Sequence, residues 1–201
     1  MNDVIDNIKA RRSIRKYLDK RIPEDLIKEI VEAGRFAPSA HNSQPWRFVV
    51  IEDKDKIDEL SNSVKDWFKK RMKFGKFFGI FNKKIKDEVK SAEKRASSDK
   101  DLFFYDAPLV ILVCAKDGKF IPQDCALAAE NMMLAARSLG IGSCWIGFAD
   151  LVVNQNRTFM DYLGVPNDCK IMAHLIFGYP EKFPAQAFPR KEEADVVKWL
   201  K

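Results

Sequence analysis

Apolar residues recur along this chain with two different periods, and the changes between them mark its elements. Val4, Ile5 and Ile8 have helical spacing ahead of a basic turn, RRSIRKY. A second helix is predicted over Pro23 to about Phe36. Pro23 suits the first helical position, Glu24 and Asp25 complement the positive end of the helix dipole, and Leu26, Ile27, Ile30 and Val31 share a face. The loop APSAHNSQPW, Ala37 to Trp46, comes next, with Pro38 and Pro45 disfavouring helical geometry at Ala37 and Gln44. A strand is predicted over Arg47 to Ile51. Lys54 to about Arg71 then returns to the helical period, with Ile57, Leu60, Val64, Trp67 and Phe68 on one face.

The middle of the chain is less regular. Phe74, Phe77, Phe78 and Phe81 interleave with lysines, a pattern open to a helical lid, a loop or a surface element, and Lys83 to Ser98 reads as a solvated helix or a mobile stretch. Pro108 to Ala115, PLVILVCA, is apolar throughout and rich in branched residues, as in a strand covered on both faces. Gln123 to Leu139 is apolar almost all round and stops at Gly140, which predicts a buried helix. GSCWIG (Gly142 to Gly147) and Lys170 to Tyr179 are predicted strands, with Asn154 to Leu163 helical between them and a short element, VVKWL, after an irregular tail. Strands this widely separated do not form tight hairpins, so the expected class is α+β, a sheet flanked by helices in a single domain of residues 1–201.

Composition narrows the picture. The length of 201 residues is enough to bury a core without disulfides. The start, MNDVIDNIKARRS, lacks the apolar run of a secretory signal, so a cytoplasmic protein is expected, and no window is apolar enough to span a membrane. Cys114, Cys125, Cys144 and Cys169 have no metal-ligand or iron–sulfur spacing and read as buried reduced thiols. The net charge of +6 belongs to one segment: Lys65 to Lys90 holds ten basic and three acidic residues. That segment, rather than the whole chain, is where a nucleic-acid or acidic-surface site would have to lie; a basic lid over an anionic channel accounts for the same residues.

Two stretches carry candidate chemistry. Arg11, Arg12, Ser13 and Arg15 put three guanidinium groups and a hydroxyl within five residues, a set suited to phosphate but equally to a solvated basic turn. APSAHNSQPW is rich in hydrogen-bonding groups and reads either as a ligand loop or as a well-capped connection. Taken together with AENMMLAARSLGIGSCWIG and with GYP followed by PRK, they stand in the order and spacing of the nitroreductase family of flavin mononucleotide (FMN) enzymes. The chain resembles that family over nearly its full length, about Lys54 to Lys100 excepted.

The resemblance implies a nitroreductase-like fold, a central, mainly antiparallel sheet flanked by helices, with the C-terminal segment exchanged across a homodimer. It implies that Arg11, Arg12, Ser13 and Arg15 hold the FMN phosphate, ribityl chain and pyrimidine edge, that Arg190 adds a phosphate contact, and that the backbone of Trp145, Ile146 and Gly147 passes over the flavin ring. Pro38, Ser39, Ala40 and Asn42 would approach the flavin of the partner subunit, and the helix Gln123 to Leu139 would lie at the interface. The implied reaction is ping-pong: NADH or NADPH reduces FMN, and a small acceptor such as a nitroaromatic, quinone or activated alkene is reduced in turn. The flavin carries that chemistry, and no side chain is required as a catalyst; His41 is a candidate proton donor, and His174 reads as a satisfied core histidine. The family's ring-binding asparagine has Asn62 and Asn82 as candidates. A lysine found in some members two positions before the C-terminal arginine is Phe188 here, with Lys191 as a replacement. The same fold also serves dehalogenation and flavin cleavage, and an FMN-binding sensor or storage module is the non-enzymatic alternative.

Overall fold

In the computed structural model, which describes residues 2–75, 94–150 and 152–184, four strands form one antiparallel sheet in the order β1-β2-β4-β3. They are β1 (Arg47–Ile51), β2 (Leu109–Ala115), β3 (Gly142–Trp145) and β4 (Lys170–Gly178). Around them lie α1 (Asp3–Ala10), α2 (Glu24–Arg35), α3 (Lys54–Gly75), α4 (Ile121–Ser138), α5 (Gly147–Asp150) and α6 (Arg157–Tyr162). None of the described helices is long and apolar enough to cross a membrane.

β2 explains the layering. All seven of its residues are buried, and successive side chains of a strand point to opposite faces. Leu109, Ile111, Val113 and Ala115 pack into one core with Ile27 and Ile30 of α2 and Cys125, Ala128 and Met132 of α4. Val110, Leu112 and Cys114 pack into a second core with Ile57, Leu60 and Val64 of α3, Phe103 and Phe104. Helices therefore cover both faces, which is why β2 carries no polar alternation.

Several boundaries differ from the sequence expectation. Pro23 is the N-cap of α2, not its first residue. The helix expected over Asn154 to Leu163 is divided: a 3-10 turn at Val153–Gln155 precedes α6, because the Asn156 side chain accepts from Phe159 N–H at 3.1 Å and starts a new helix. β3 stops at Trp145, and Gly147 opens α5. α4 begins two residues early, with Pro122 in its first turn. It is also not buried all round: Leu127 is 46% exposed, and α1, which lies on α4 through Asn7 Nδ2 donating to the Leu134 carbonyl, buries none of its own residues. Phe77, Phe78, Phe81, most of Lys83 to Ser98, Asn82, Phe188, Arg190, Lys191 and VVKWL lie outside the described residues.

Candidate active site

The RRSIRKY segment is held at both ends against the sheet. Ile14 N–H donates to the Ser143 carbonyl at 2.9 Å, and Leu18 N–H donates to the Tyr179 carbonyl at 2.8 Å. Ile14 itself is 4% exposed, burial worth roughly 1.5–3 kcal/mol. It fits because residue 142 is glycine: a Cβ there would stand 2.7 Å from Ile14 Cγ1. This clamp sets Ser13 beside β3 and carries Arg15 to the end of that strand, where the chain turns from Trp145 into α5.

There a cleft of about 470 Å³ opens, lined by Arg15, Trp145, Ile146 and Gly147 from the expected set, by Cys144, expected only as a buried thiol, and by Arg95, Phe103, Tyr105 and Phe148, which the sequence did not single out. No carboxylate is among these lining residues. Arg15 lies 5.9 Å from the centroid of the Tyr105 ring. A Cβ on Gly147 would meet nothing within 4 Å, so the cleft wall is open backbone at that point. Burial pushes the Cys144 thiol pKa up, and Arg15 pulls it part of the way back.

The neighbouring basic residues are partly committed. Arg11 Nε pairs with Glu130 at 3.3 Å, and Arg12 Nη1 donates to the carbonyls of Lys9 and Arg11. Arg12 Nε is buried with no partner among the described residues, as is Nε of Arg137, whose guanidinium sits 4.3 Å from the Phe183 ring centroid. Orphaned cationic donors suit an anionic group; neither arginine is among the residues lining the cleft itself, whose volume falls within the roughly 300–1,000 Å³ usual for small-ligand sites. The residues present thus fit a flavin phosphate and ring.

The loop APSAHNSQPW takes no part in this cleft within its own chain. Pro38, Ser39, Ala40, His41 and Asn42 are placed elsewhere, around a 3-10 turn at Ala40–Asn42. His41, Asn42 and Gln44 have left-handed backbones, with φ of 55°, 53° and 44°. Such angles are uncommon outside glycine and persist where surrounding bonds impose them. Here Ser39 Oγ accepts from Gln44 N–H at 3.0 Å, Gln44 Nε2 donates to Asn42 Oδ1 at 2.9 Å, and Ala40 N–H donates to Asp124 Oδ1 at 3.1 Å. Asp124 is an anchor the sequence did not single out, since an aspartate in a helix's first turn ordinarily complements the dipole.

Asn62 lies on α3 in a smaller cleft with Asp58, Ser61 and Lys65 that shares Phe103 with the larger one, and it is not among the residues lining the cleft of Arg15 and Trp145. His174 is fully buried on β4. Its Nδ1 meets Asp150 Oδ1 at 2.7 Å, but Nε2 has no partner among the described residues, so this core histidine is satisfied on one nitrogen only. All four cysteines are buried free thiols, as expected.

The sequence profile of the nitroreductase family matches residues 8–179. The chain belongs to the nitroreductase family. A protein of Methanothermobacter thermautotrophicus with the provisional name NADH dehydrogenase/NAD(P)H nitroreductase is 30% identical over 190 residues, covering 90% of this chain and 80% of that protein. One of Archaeoglobus fulgidus with the same provisional name is 31% identical over 181 residues, covering 90% and 87%. Among solved structures, a nitroreductase with bound FMN from Bacteroides fragilis superposes with a TM-score of 0.78 at 31% identity, over 100% of both chains. The antiparallel sheet with helices on both faces is therefore the nitroreductase fold.

Proposed function

We propose that this protein is an FMN-dependent oxidoreductase that uses NADH or NADPH to reduce a small acceptor such as a nitroaromatic, quinone or activated alkene. One observation carries the reading: Arg15 and the Trp145–Ile146–Gly147 segment, far apart in sequence, line one cleft because Ile14 is bonded to Ser143. FMN supplies the two-electron chemistry, accepting from the nicotinamide and delivering to the acceptor in a ping-pong cycle. The chain's own groups bind and orient. Arg15 is assigned to the pyrimidine edge of the flavin, where it balances negative charge, and Arg11, Arg12, Ser13 and Arg190 to the phosphate and ribityl chain. Within the segment assigned to pass over the ring, Ile146 N–H is already engaged with the His174 carbonyl at 2.8 Å, so the donor toward N5 is assigned to one of its other two amides, Trp145 N–H or Gly147 N–H.

The working unit in this proposal is a homodimer with flavin sites shared at the interface. Val4, Ile5 and Ile8 of α1, 49–66% exposed in the single chain, and Leu127 of α4 form apolar surface that calls for cover, and a second copy supplies it. The loop Pro38 to Asn42, absent from its own chain's cleft, then serves the partner's site.

Anaerobic mixing with NADH and with NADPH, followed by a panel of acceptors, tests the activity. Bleaching of bound flavin and its recovery on adding acceptor are expected; failure of both nucleotides to bleach it would leave an FMN-binding sensor or storage module. A stable monomer that holds FMN tightly would contradict the shared site.

A further inference from the structure

Besides the expected flavin contacts, the cleft is lined by a second cation, Arg95, and the inference drawn from it rests on the flavin reading above. Asp101 shapes this wall. Its Oδ1 accepts from Phe103 N–H and Phe104 N–H, both at 2.9 Å, and from the Ser61 hydroxyl at 2.6 Å, while Oδ2 accepts from Asp106 N–H at 3.3 Å. So fastened, the chain turns through Tyr105 and Asp106 with φ of 59° and 51°, a left-handed path that non-glycine residues rarely take. Backbone in such a region is retained where something depends on it.

What depends on it is the place of Tyr105. Arg95 Nη1 donates to the Tyr105 oxygen at 2.6 Å and to the Leu102 carbonyl at 2.9 Å. Those two bonds use both hydrogens of Nη1, and Nη2 and Nε have no hydrogen-bond partner among the described residues. Because the tyrosine oxygen accepts from Arg95, its own hydrogen is left to donate. The guanidinium also lies 5.2 Å from the Phe148 ring centroid, and Phe148 stands edge-on to Phe103 at 6.1 Å. A fixed cation, spare N–H donors and an O–H donor thus sit between aromatic rings in a cleft with no carboxylate among its described lining residues.

We propose that Arg95, with Tyr105, is the specificity-determining pair of the cleft and selects planar acceptors bearing a carboxylate, or an equivalent anionic oxygen, over neutral molecules of the same shape. An apolar slot cannot strongly separate isosteres, whereas a group built to bond an oxyanion can. Arg15 does not duplicate the role, since it is assigned to the flavin itself.

The flavin-loaded protein is titrated with benzoate and with its neutral isostere benzamide, following the flavin absorbance. Benzoate should bind at least about tenfold more tightly, and the margin should shrink with added salt. In Arg95→Gln the two should agree within about twofold through loss of benzoate binding alone, and Arg95→Lys should restore part of the preference. Equal binding by the unaltered protein, or a preference retained in Arg95→Gln, would overturn the proposal; the first comparison needs no variant to fold. Nicotinamide bleaching run in parallel separates the two readings. A protein that prefers benzoate but is not bleached loses the oxidoreductase assignment and keeps the anion selectivity, and one that is bleached without a preference loses only the selectivity.

Discussion

Trp145 Nε1 donates to Asp150 Oδ2 at 3.0 Å while the other oxygen of the same carboxylate meets His174 Nδ1 at 2.7 Å. One aspartate therefore ties the aromatic residue that borders the cleft to the buried centre of β4, across the short helix α5. Asp150→Ala removes the acceptor for two donors, one of them on a fully buried ring, and should lower unfolding free energy by about 1–3 kcal/mol. Urea denaturation measures this, and Asp150→Asn, which keeps one acceptor oxygen, should lose less.

Asp124 does comparable work for the loop at Ala40. It is 4% exposed, holds Ala40 N–H through Oδ1, and has no partner for Oδ2 among the described residues. Asp124→Ala should release the left-handed turn, seen as faster amide hydrogen exchange confined to residues 39–44, whereas Asp124→Asn, with its carbonyl oxygen retained, should keep most of the protection.

Two glycines give opposite expectations. A Cβ at Gly178 would stand 2.6 Å from Tyr17 Cδ1 and 2.8 Å from Pro108 Cδ, two rings with little freedom to move. Gly178→Ala should cost about 1–3 kcal/mol in the same denaturation experiment. Gly147→Ala adds a methyl group to open space, so the protein without flavin should be unaffected within about 0.5 kcal/mol. Its flavin affinity should fall, because the new methyl group enters the cleft; unchanged affinity would count against the flavin lying over that backbone.

Alkaline pH should destabilise the fold through its buried thiols. Burial pushes Cys114 and Cys125 up to about 12, from a reference of 9.0. Below pH 9.0 both states keep these protons and stability does not depend on them. Above it the unfolded chain releases protons that the native state retains, so stability falls as pH rises, at up to about 1.4 kcal/mol per pH unit for each thiol. Urea midpoints between pH 8 and 10.5 check this, and Cys125→Ala should reduce the slope.

How much of this was legible beforehand follows from range. β1 was readable to the residue, since Pro45 closes the loop before it and its apolar run stops at Glu52, and β2 was readable as doubly covered because no polar residue interrupts it. The break before α6 was missed because it depends on one asparagine side chain capping a helix, which competes with continuing the helix at nearly equal local cost. In the site, Arg15, Trp145, Ile146 and Gly147 were found because they sit in recognisable motifs. Arg95 and Tyr105 were not: they belong to the stretch around Lys54 to Lys100 and its margin, where no motif applies, and FFYD carries no glycine to announce a left-handed turn.

The amino-acid sequence by itself determined the elements, the family and the cofactor class to expect, because helix period, strand period and short motifs are local properties that survive without tertiary context. Only the tertiary structure decided which groups meet. Ile14 reaches Ser143, Arg95 reaches Tyr105, and Asp150 joins Trp145 to His174. Such pairings depend on how the sheet is ordered and on backbone angles that the surrounding hydrogen bonds impose, and neither is written in any one stretch of chain.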